Sequence, residues 1–335
     1  MRTNGRIVVA VDAAGGDYAP QEVVKGAAAA AQEYGVHVAL VGKIALLEKL
    51  LRRYRVEPSL TMVEATEVID CNEPPVQAVR SKPDSSIVVG TRLVRDGFAS
   101  AFVSAGNTGA MVSAAFINLE RIEGVQRPAL CSVVPGDSTS PALIIDVGAN
   151  VDCRPEFLVQ FAQLAVIFAR GVLGIGSPRV ALLNGSEAGI ESNPLAAESA
   201  ELLKKTDLNF IGNVGGQDIL TGKADVIVTD GFTGNVVIKT VEGLADIVQN
   251  LLTADKAFEI ARDLEGAALV NYARLASMVG RLDYQEYGGA CLLGINGNII
   301  VAHGRSRAKA IKNAIHLAYK ASEAGVVQSI REGLK

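Results

Sequence analysis

Residues 224–239 read ADVIVTDGFTGNVVIK. The apolar run Val226-Ile227-Val228 ends in a polar, glycine-bearing turn, Asp230-Gly231-Phe232-Thr233-Gly234-Asn235, and a helix-like segment follows at once. A strand, a tight loop and a helix start are the parts of an α/β unit. Backbone N–H groups at such a helix start attract anions. Similar polar, glycine-bearing loops follow apolar runs at 12–17, 104–109, 146–152 and 184–187. A sixth, His303-Gly304-Arg305-Ser306-Arg307, leads into the last helix. The repetition predicts an α/β fold with a mostly parallel sheet sandwiched by helices. It also predicts a deep site for a phosphorylated or otherwise anionic ligand beyond the carboxyl ends of the strands.

Outward from that stretch, strands are expected at 6–11, 36–41, 60–63, 101–103, 179–183 and 209–211. Helices are expected to end near 34, 53, 96, 119, 170 and 205. Residues 66–75 read as a loop with Pro74-Pro75 as a breaker. The runs 129–134 and 143–147 are separated only by Pro135-Gly136-Asp137-Ser138-Thr139, which predicts an antiparallel pair inside the parallel sheet. Two short strands at 290–295 and 298–302 flank the tight-turn dipeptide Asn296-Gly297, and a final helix covers 306–323. Leu244, Ile247, Val248, Leu251 and Leu252 fall at helical spacing and read as core. Residues 255–283 read as helical, with a stripe of Leu264, Leu269, Leu275, Met278 and Val279. That stripe is either core or a protruding helix pair facing a partner or a membrane. The whole chain, 1–335, reads as a single α/β domain.

With 335 residues, 49% of them hydrophobic, the chain can bury a large core. A net charge of −4 gives no strong basic bias toward nucleic acid. Cys71, Cys131, Cys153 and Cys291 form no CxxC pair and read as reduced thiols of a cytosolic protein. His37, His303 and His316 share no metal-ligand spacing, so no metal is expected. Neither GxxxxGK[ST] nor GxGxxG occurs, so no nucleotide cofactor is expected. The glycines of 171–176 imitate the second motif but end a helix instead of starting one. No secretory leader opens the chain, and no apolar stretch reaches the roughly 18 residues of a membrane span.

In the loops, glycine lets backbone approach a ligand, as at Gly15, Gly16, Gly106 and Gly234. Ser104, Asn107, Thr108, Asn150, Asn184 and Asn235 supply hydrogen bonds without charge, and Arg305 and Arg307 could neutralise an anion. Each loop could equally be a capped helix start with no ligand. Asp230 either positions a substrate or caps the N–H of Thr233. Asp12 and Asp17 either contact a ligand or stiffen their loop by local side-chain bonds. His303 is a catalyst or a capping residue at the core edge.

Six segments together resemble one family. They are Asp12-Ala13-Ala14-Gly15-Gly16-Asp17-Tyr18-Ala19-Pro20, Ser104-Ala105-Gly106-Asn107-Thr108-Gly109-Ala110, Arg127-Pro128-Ala129-Leu130, and Asp146-Val147-Gly148-Ala149-Asn150-Val151-Asp152. The others are Asp230-Gly231-Phe232-Thr233-Gly234-Asn235, and Tyr287-Gly288-Gly289-Ala290 with Leu292-Leu293-Gly294. The chain resembles the phosphate acyltransferases of bacterial phospholipid synthesis, which act on fatty acyl-acyl carrier protein. The resemblance implies that inorganic phosphate attacks the thioester of acyl-acyl carrier protein to give acyl phosphate. A membrane acyltransferase would pass the acyl group to glycerol 3-phosphate, on the way to phosphatidic acid. It implies a fold like that of phosphate acetyltransferases and isocitrate/isopropylmalate dehydrogenases, a homodimer, and a cytoplasmic protein peripherally associated with the membrane, with 255–283 as the candidate segment. On this basis Ser104, Asn107 and Thr108 are candidate phosphate or oxyanion donors, Asn150, Asp230 and Asn235 would shape the cleft, and His303 would protonate the departing thiolate.

The chain departs from the family pattern after Leu183. In Asn184-Gly185-Ser186-Glu187-Ala188-Gly189-Ile190-Glu191-Ser192-Asn193, the residues Asn184, Glu187 and Asn193 match, but Glu191 stands where the family carries lysine. Gly215 replaces a usual glutamate, Cys291 an expected proline, and Ala14 a common methionine. Arg305 and Arg307 are candidates to replace the lost cation. Two other readings are a phosphotransacylase for small acyl-coenzyme A and a catalytically weakened scaffold that binds carrier protein or lipid enzymes.

Overall fold

The computed structural model describes residues 6–54, 59–134, 141–185, 193–251, 266 and 284–334. The first apolar runs form β1 (Val8–Asp12), β2 (His37–Gly42), β3 (Leu60–Glu64) and β4 (Ala101–Ser104). Between and after them come α1 (Gln21–Tyr34), α2 (Ile44–Leu51), α3 (Pro75–Ser81), α4 (Ser86–Arg95) and α5 (Thr108–Leu119). The middle of the chain gives β5 (Ala129–Val134), β6 (Ala142–Ile145), α6 (Pro155–Val172), β7 (Val180–Leu183), α7 (Pro194–Leu203) and β8 (Phe210–Val214). The apolar run and glycine-bearing turn around Asp230 become β9 (Val226–Val228) and the start of α8 (Gly231–Leu251). After them come β10 (Ala290–Leu293), β11 (Asn298–Val301), α9 (Ala308–Glu323) and α10 (Val326–Gly333).

All these strands join one 11-stranded sheet in the order β3-β2-β1-β4-β11-β10-β5-β6-β9-β7-β8. Its flanks pair in parallel, whereas β11–β10, β10–β5 and β5–β6 are antiparallel. β4, β6, β7 and β9 carry no exposed residue, as expected for strands covered on both faces. One core layer gathers Val24, Phe161, Ala314 and Ile330 from α1, α6, α9 and α10. The other gathers Ile87, Met111, Leu130 and Ile299, with Ile238 of α8 packed against it.

Three successive antiparallel pairings reverse the chain direction across the centre of the sheet. The carboxyl ends of β1, β4 and β11 therefore lie at one end of the sheet and those of β6, β7 and β9 at the other. This corrects the expectation of a single rim of loops. β4 and β6 are four strand spacings apart, roughly 19 Å.

Three local differences have simple causes. Pro74-Pro75 starts α3 instead of breaking the chain, because proline at the first helical position gives up an N–H that has no partner there anyway. Gly325, with φ +62°, closes α9 and lets the chain restart as α10. On α8, Leu244 and Ile247 are exposed, not core, and Phe232 and Val236 of the same helix are exposed too. The expected protruding segment 255–283 lies outside the described residues, Gly266 excepted. Among the described residues no helix is long and apolar enough to cross a membrane.

Candidate active site

At the first end of the sheet, loops 12–17, 104–109 and 303–307 meet. Asp12 is buried, and its Oδ1 accepts the N–H groups of Ala14 and Gly15, both at 3.0 Å. Its Oδ2 accepts the Ser104 hydroxyl at 2.7 Å, and Ser104 Oγ accepts the Gly106 N–H at 2.9 Å. The Asp17 N–H donates to the Gly304 carbonyl at 2.9 Å. A Cβ on Gly15 would sit 2.3 Å from Asp12 Oδ2 and 2.9 Å from Gly106 Cα, so only glycine lets these two loops touch. Gly16, with φ +108°, packs against Ala105 and Gly304. Asp12 and Ser104 thus spend their polar atoms on one another and on the loop backbone. Asn107 does likewise: its amide donates to the carbonyls of Asp70, Cys71 and Glu73, and its Oδ1 accepts the Ala110 N–H at the start of α5.

At the opposite end, Asp146 is fully buried. Its carboxylate accepts the N–H groups of Leu130, Gly148, Ala149 and Asn150, and the Asn150 amide at 2.9 Å. Burial pushes its carboxyl above the usual carboxylate range, and the Ala149, Asn150 and Leu130 donors work against that shift. Asn150 also donates to the Pro128 carbonyl at 2.8 Å. Asp230 accepts the Thr233 N–H at 2.8 Å and the Thr233 hydroxyl at 2.7 Å, which makes it the cap of α8. A Cβ on Gly234 would lie 1.9 Å from the Asp146 carbonyl oxygen, so α8 can start this close to the 146–150 turn only with glycine there. Asn184 and Asp230 line a side cavity of about 310 Å³. Glu187 and Glu191 lie outside the described residues.

A cleft of about 160 Å³ joins the two ends. It lies over the central strands β5 and β10, on the face that also carries α5 and α8. Its floor is Leu130, Ser132, Val134, Ala290 and Val301, and Ile238 and Val241 of α8 bound it on the other side. Asn235 and Val147 close one end, and Thr108, Lys239, Glu242 and His303 line the other.

That second end is polar and tightly linked. His303 Nε2 lies 3.2 Å from Glu242 Oε2 and 2.9 Å from Lys239 Nζ, and Lys239 Nζ lies 3.1 Å from the same Glu242 oxygen. His303 Nδ1 accepts the Arg305 N–H at 3.2 Å. Nε2 thus faces both an acceptor, the Glu242 carboxylate, and a donor, the Lys239 ammonium. Burial pushes the Glu242 carboxyl up, but the His303 hydrogen bond and the Lys239 charge outweigh it and hold the carboxyl below its ordinary value. Arg305 reaches Asp246 at 2.6 Å, and the Arg307 guanidinium lies over the Tyr18 ring at 4.5 Å.

Of the residues singled out in the sequence, Thr108, Asn235 and His303 line the cleft. Asp12, Gly15, Gly16, Asp17, Ser104, Gly106 and Asn107 build the loops at the His303 end, and Asn150, Asp230 and Gly234 build the far end. Lys239 and Glu242 were missed. Their signal is the spacing from Asn235, one and two helical turns on, which puts all three on one face of α8. Among the described residues, no three His, Cys, Asp or Glu side chains are grouped to hold a metal.

A family model described as "Fatty acid synthesis protein" matches residues 7–329. A protein named phosphate acyltransferase from Dehalococcoides mccartyi is 49% identical over 98% of this chain and 95% of its own length. Another of that name, from Desulforamulus reducens, is 44% identical over 98% of each chain. Among solved structures, a phosphotransacetylase from Streptococcus pyogenes superposes with a TM-score of 0.61 at 19% identity, covering 96% of this chain and 94% of its own. A branched-chain phosphotransacylase from Enterococcus faecalis gives 0.54 at 14% identity, over 94% and 98%. These likenesses concern the fold, and they agree with the phosphate acetyltransferase-like architecture expected from the sequence. By sequence, the chain belongs to the phosphate acyltransferase family.

Proposed function

We propose that the protein transfers a fatty acyl group from acyl-acyl carrier protein to inorganic phosphate, forming acyl phosphate for phosphatidic acid synthesis. The observation that carries this reading is the cleft itself, whose apolar length ends in a lysine, a histidine and the start of a helix. Phosphate binds at the Thr108–Lys239–His303 end. There the first N–H groups of α5 and the Lys239 ammonium both favour an anion.

Phosphate is already anionic near neutral pH, so no strong base is needed. An oxygen of HPO₄²⁻ attacks the thioester carbonyl carbon, the carbon–sulfur bond breaks, and the phosphate proton ends on the thiol sulfur. A thiol of pKa about 8.5 leaves readily. The site's task is then orientation, worth roughly 7–11 kcal/mol, and stabilisation of the tetrahedral oxyanion, where one donor contributes about 3–4 kcal/mol. Thr108 is placed to donate. His303 Nε2 lies beside both Glu242 and Lys239 and orders that pair at the cleft wall, while the phosphate proton itself passes to sulfur.

We further infer a homodimer that works at the membrane surface and hands its product to a membrane glycerol-phosphate acyltransferase. The exposed Phe232, Val236, Leu244 and Ile247 on α8 support a covered apolar face. The deciding experiment is incubation of purified protein with palmitoyl-acyl carrier protein and phosphate, following free thiol and acyl phosphate. Silence there with turnover of acetyl-coenzyme A would replace this function with that of a small-acyl phosphotransacylase. Silence on both would leave a scaffold.

A further inference from the structure

We propose that the apolar length of the cleft is a slot for the acyl chain, and that Ala290 and Ser132 on its floor set how long a chain it admits; this rests on the acyl-transfer function proposed above. Ala290 of β10 pairs directly with Ser132 of β5 and with Val301 of β11. Directly paired residues share one face of a sheet, and all three line the cleft. Two small side chains side by side make a trough in a sheet face that is otherwise filled. The next paired row, Leu130 and Leu292, is buried and large. Ile238 and Val241 of α8 face this trough across the cleft.

The slot has a direction. The polar head end is the Lys239–Glu242–His303 group. The far end is Val147 and Asn235, where a Cβ on Gly148 would make ordinary van der Waals contact, 3.9 Å, with the Asn235 side chain. From Leu130 to Val134 the floor runs about 13 Å along β5. Gly288 and Gly289, with φ of +80° and +152°, line the cleft just before β10 without adding side chains. Apart from the Ser132 hydroxyl, the trough would face a polar ligand with valine, isoleucine and alanine, and hydrogen-bonding groups left unpaired there are costly. A hydrocarbon chain has no such groups, and each buried methylene contributes about fourfold in affinity.

The test fills the floor from two strands independently, with Ala290→Phe and Ser132→Leu, each checked for native circular dichroism. Two readouts are taken: the ratio of kcat/KM for palmitoyl- over butyryl-acyl carrier protein, and the affinity for cis-parinaric acid, whose fluorescence rises in apolar surroundings. Loss of about two methylenes of contact lowers both by at least roughly tenfold. An unchanged chain-length ratio in a folded variant that turns over overturns the slot. So does parinaric acid that fails to bind the wild type, or binds both variants as tightly as it binds the wild type. Should the wild type bind parinaric acid and the variants lose it while no form phosphorolyses acyl-carrier protein, the slot stands and the acyl-phosphate function falls.

Discussion

Replacing Lys239 by alanine removes the only fixed positive side-chain charge among the described residues that line the cleft. A phosphate oxygen about 4 Å from the ammonium would gain roughly 4 kcal/mol per charge pair at an effective dielectric near 20. The Lys239 side chain is 54% exposed, so solvent screens much of this, as it does in exposed ion pairs. The Glu242 carboxylate 3.1 Å away already offsets part of the charge. A net loss of about 1–2 kcal/mol remains, which is close to tenfold in affinity. Removing the lysine also leaves Glu242 uncompensated except by His303, which works in the same direction. The expected outcome is a phosphate KM raised about tenfold, with the KM for palmitoyl-acyl carrier protein little changed and partial rescue by Lys239→Arg. The assay is the initial rate of thiol release across a phosphate series at saturating acyl donor. The deficit should shrink as ionic strength rises. A folded Lys239→Ala protein with the wild-type KM for phosphate would remove the cation from the anion site and the phosphate from this end of the cleft.

Three further outcomes are expected. Asn107→Ala loses the cap of α5 and three bonds to the 70–73 loop, so its urea midpoint should fall by the equivalent of about 1–2 kcal/mol; turnover lost at an unchanged midpoint would instead put this amide on the substrate. Burial holds His37 and His316 below the ordinary histidine value, so the folded state resists protonation. Their contribution is present above pH 6.5 and lost as pH falls below it, and thermal melts from neutral pH to about pH 5 should decline less steeply in His316→Phe, which keeps the ring stacked on Tyr34; parallel slopes would count against it. Desolvation pushes the buried Cys291 thiol up to about 12 and the half-buried Cys153 up to about 11, whereas Cys71 is exposed. Ellman's reagent should therefore label about one thiol rapidly in native protein and the rest only after unfolding; fast labelling of Cys291 in the native state would contradict the packing.

Much of the fold is legible in the amino-acid sequence, because strand and helix periods leave strong marks. Val226-Ile227-Val228 is a buried strand, and Asp230 caps the helix that follows, which is one of the two roles its position allows. The turn after Val134 and the dipeptide Asn296-Gly297 both announce antiparallel neighbours. Their joint consequence is not legible. Each hairpin is local, but the reversal of the whole sheet depends on β10 inserting between β11 and β5, and on β5 having come from far earlier in the chain. Glycine-bearing turns look alike in the sequence whichever end of the sheet they occupy. Leu244 and Ile247 mislead for a related reason: helical spacing groups apolar residues on a stripe without saying that the stripe faces the core of the sheet.

The reversal also explains where the cleft is. In a sheet parallel throughout, crossover helices cover both faces continuously. Here β5 pairs with β6, and β10 with β11, as antiparallel neighbours, and among the described residues α5 and α8 border the cleft over β5 and β10 through Thr108 on one side and Ile238 and Val241 on the other. The cleft lies over Ser132 and Ala290, the smallest side chains of that row. Loops from both ends of the sheet then serve one cleft with different tasks. Those behind Thr108 fix the start of α5, where the proposed anion site lies, and those around Asp146 and Asp230 fix the start of α8, so that Ile238, Lys239 and Glu242 line the cleft. Asn107 and Asp230 shape the cleft through these helix starts, with their hydrogen bonds made to their own loops. Separating the two tasks experimentally requires rates at the Lys239 end and chain-length ratios at the Ala290 floor, since each variant should move one quantity and leave the other nearly fixed.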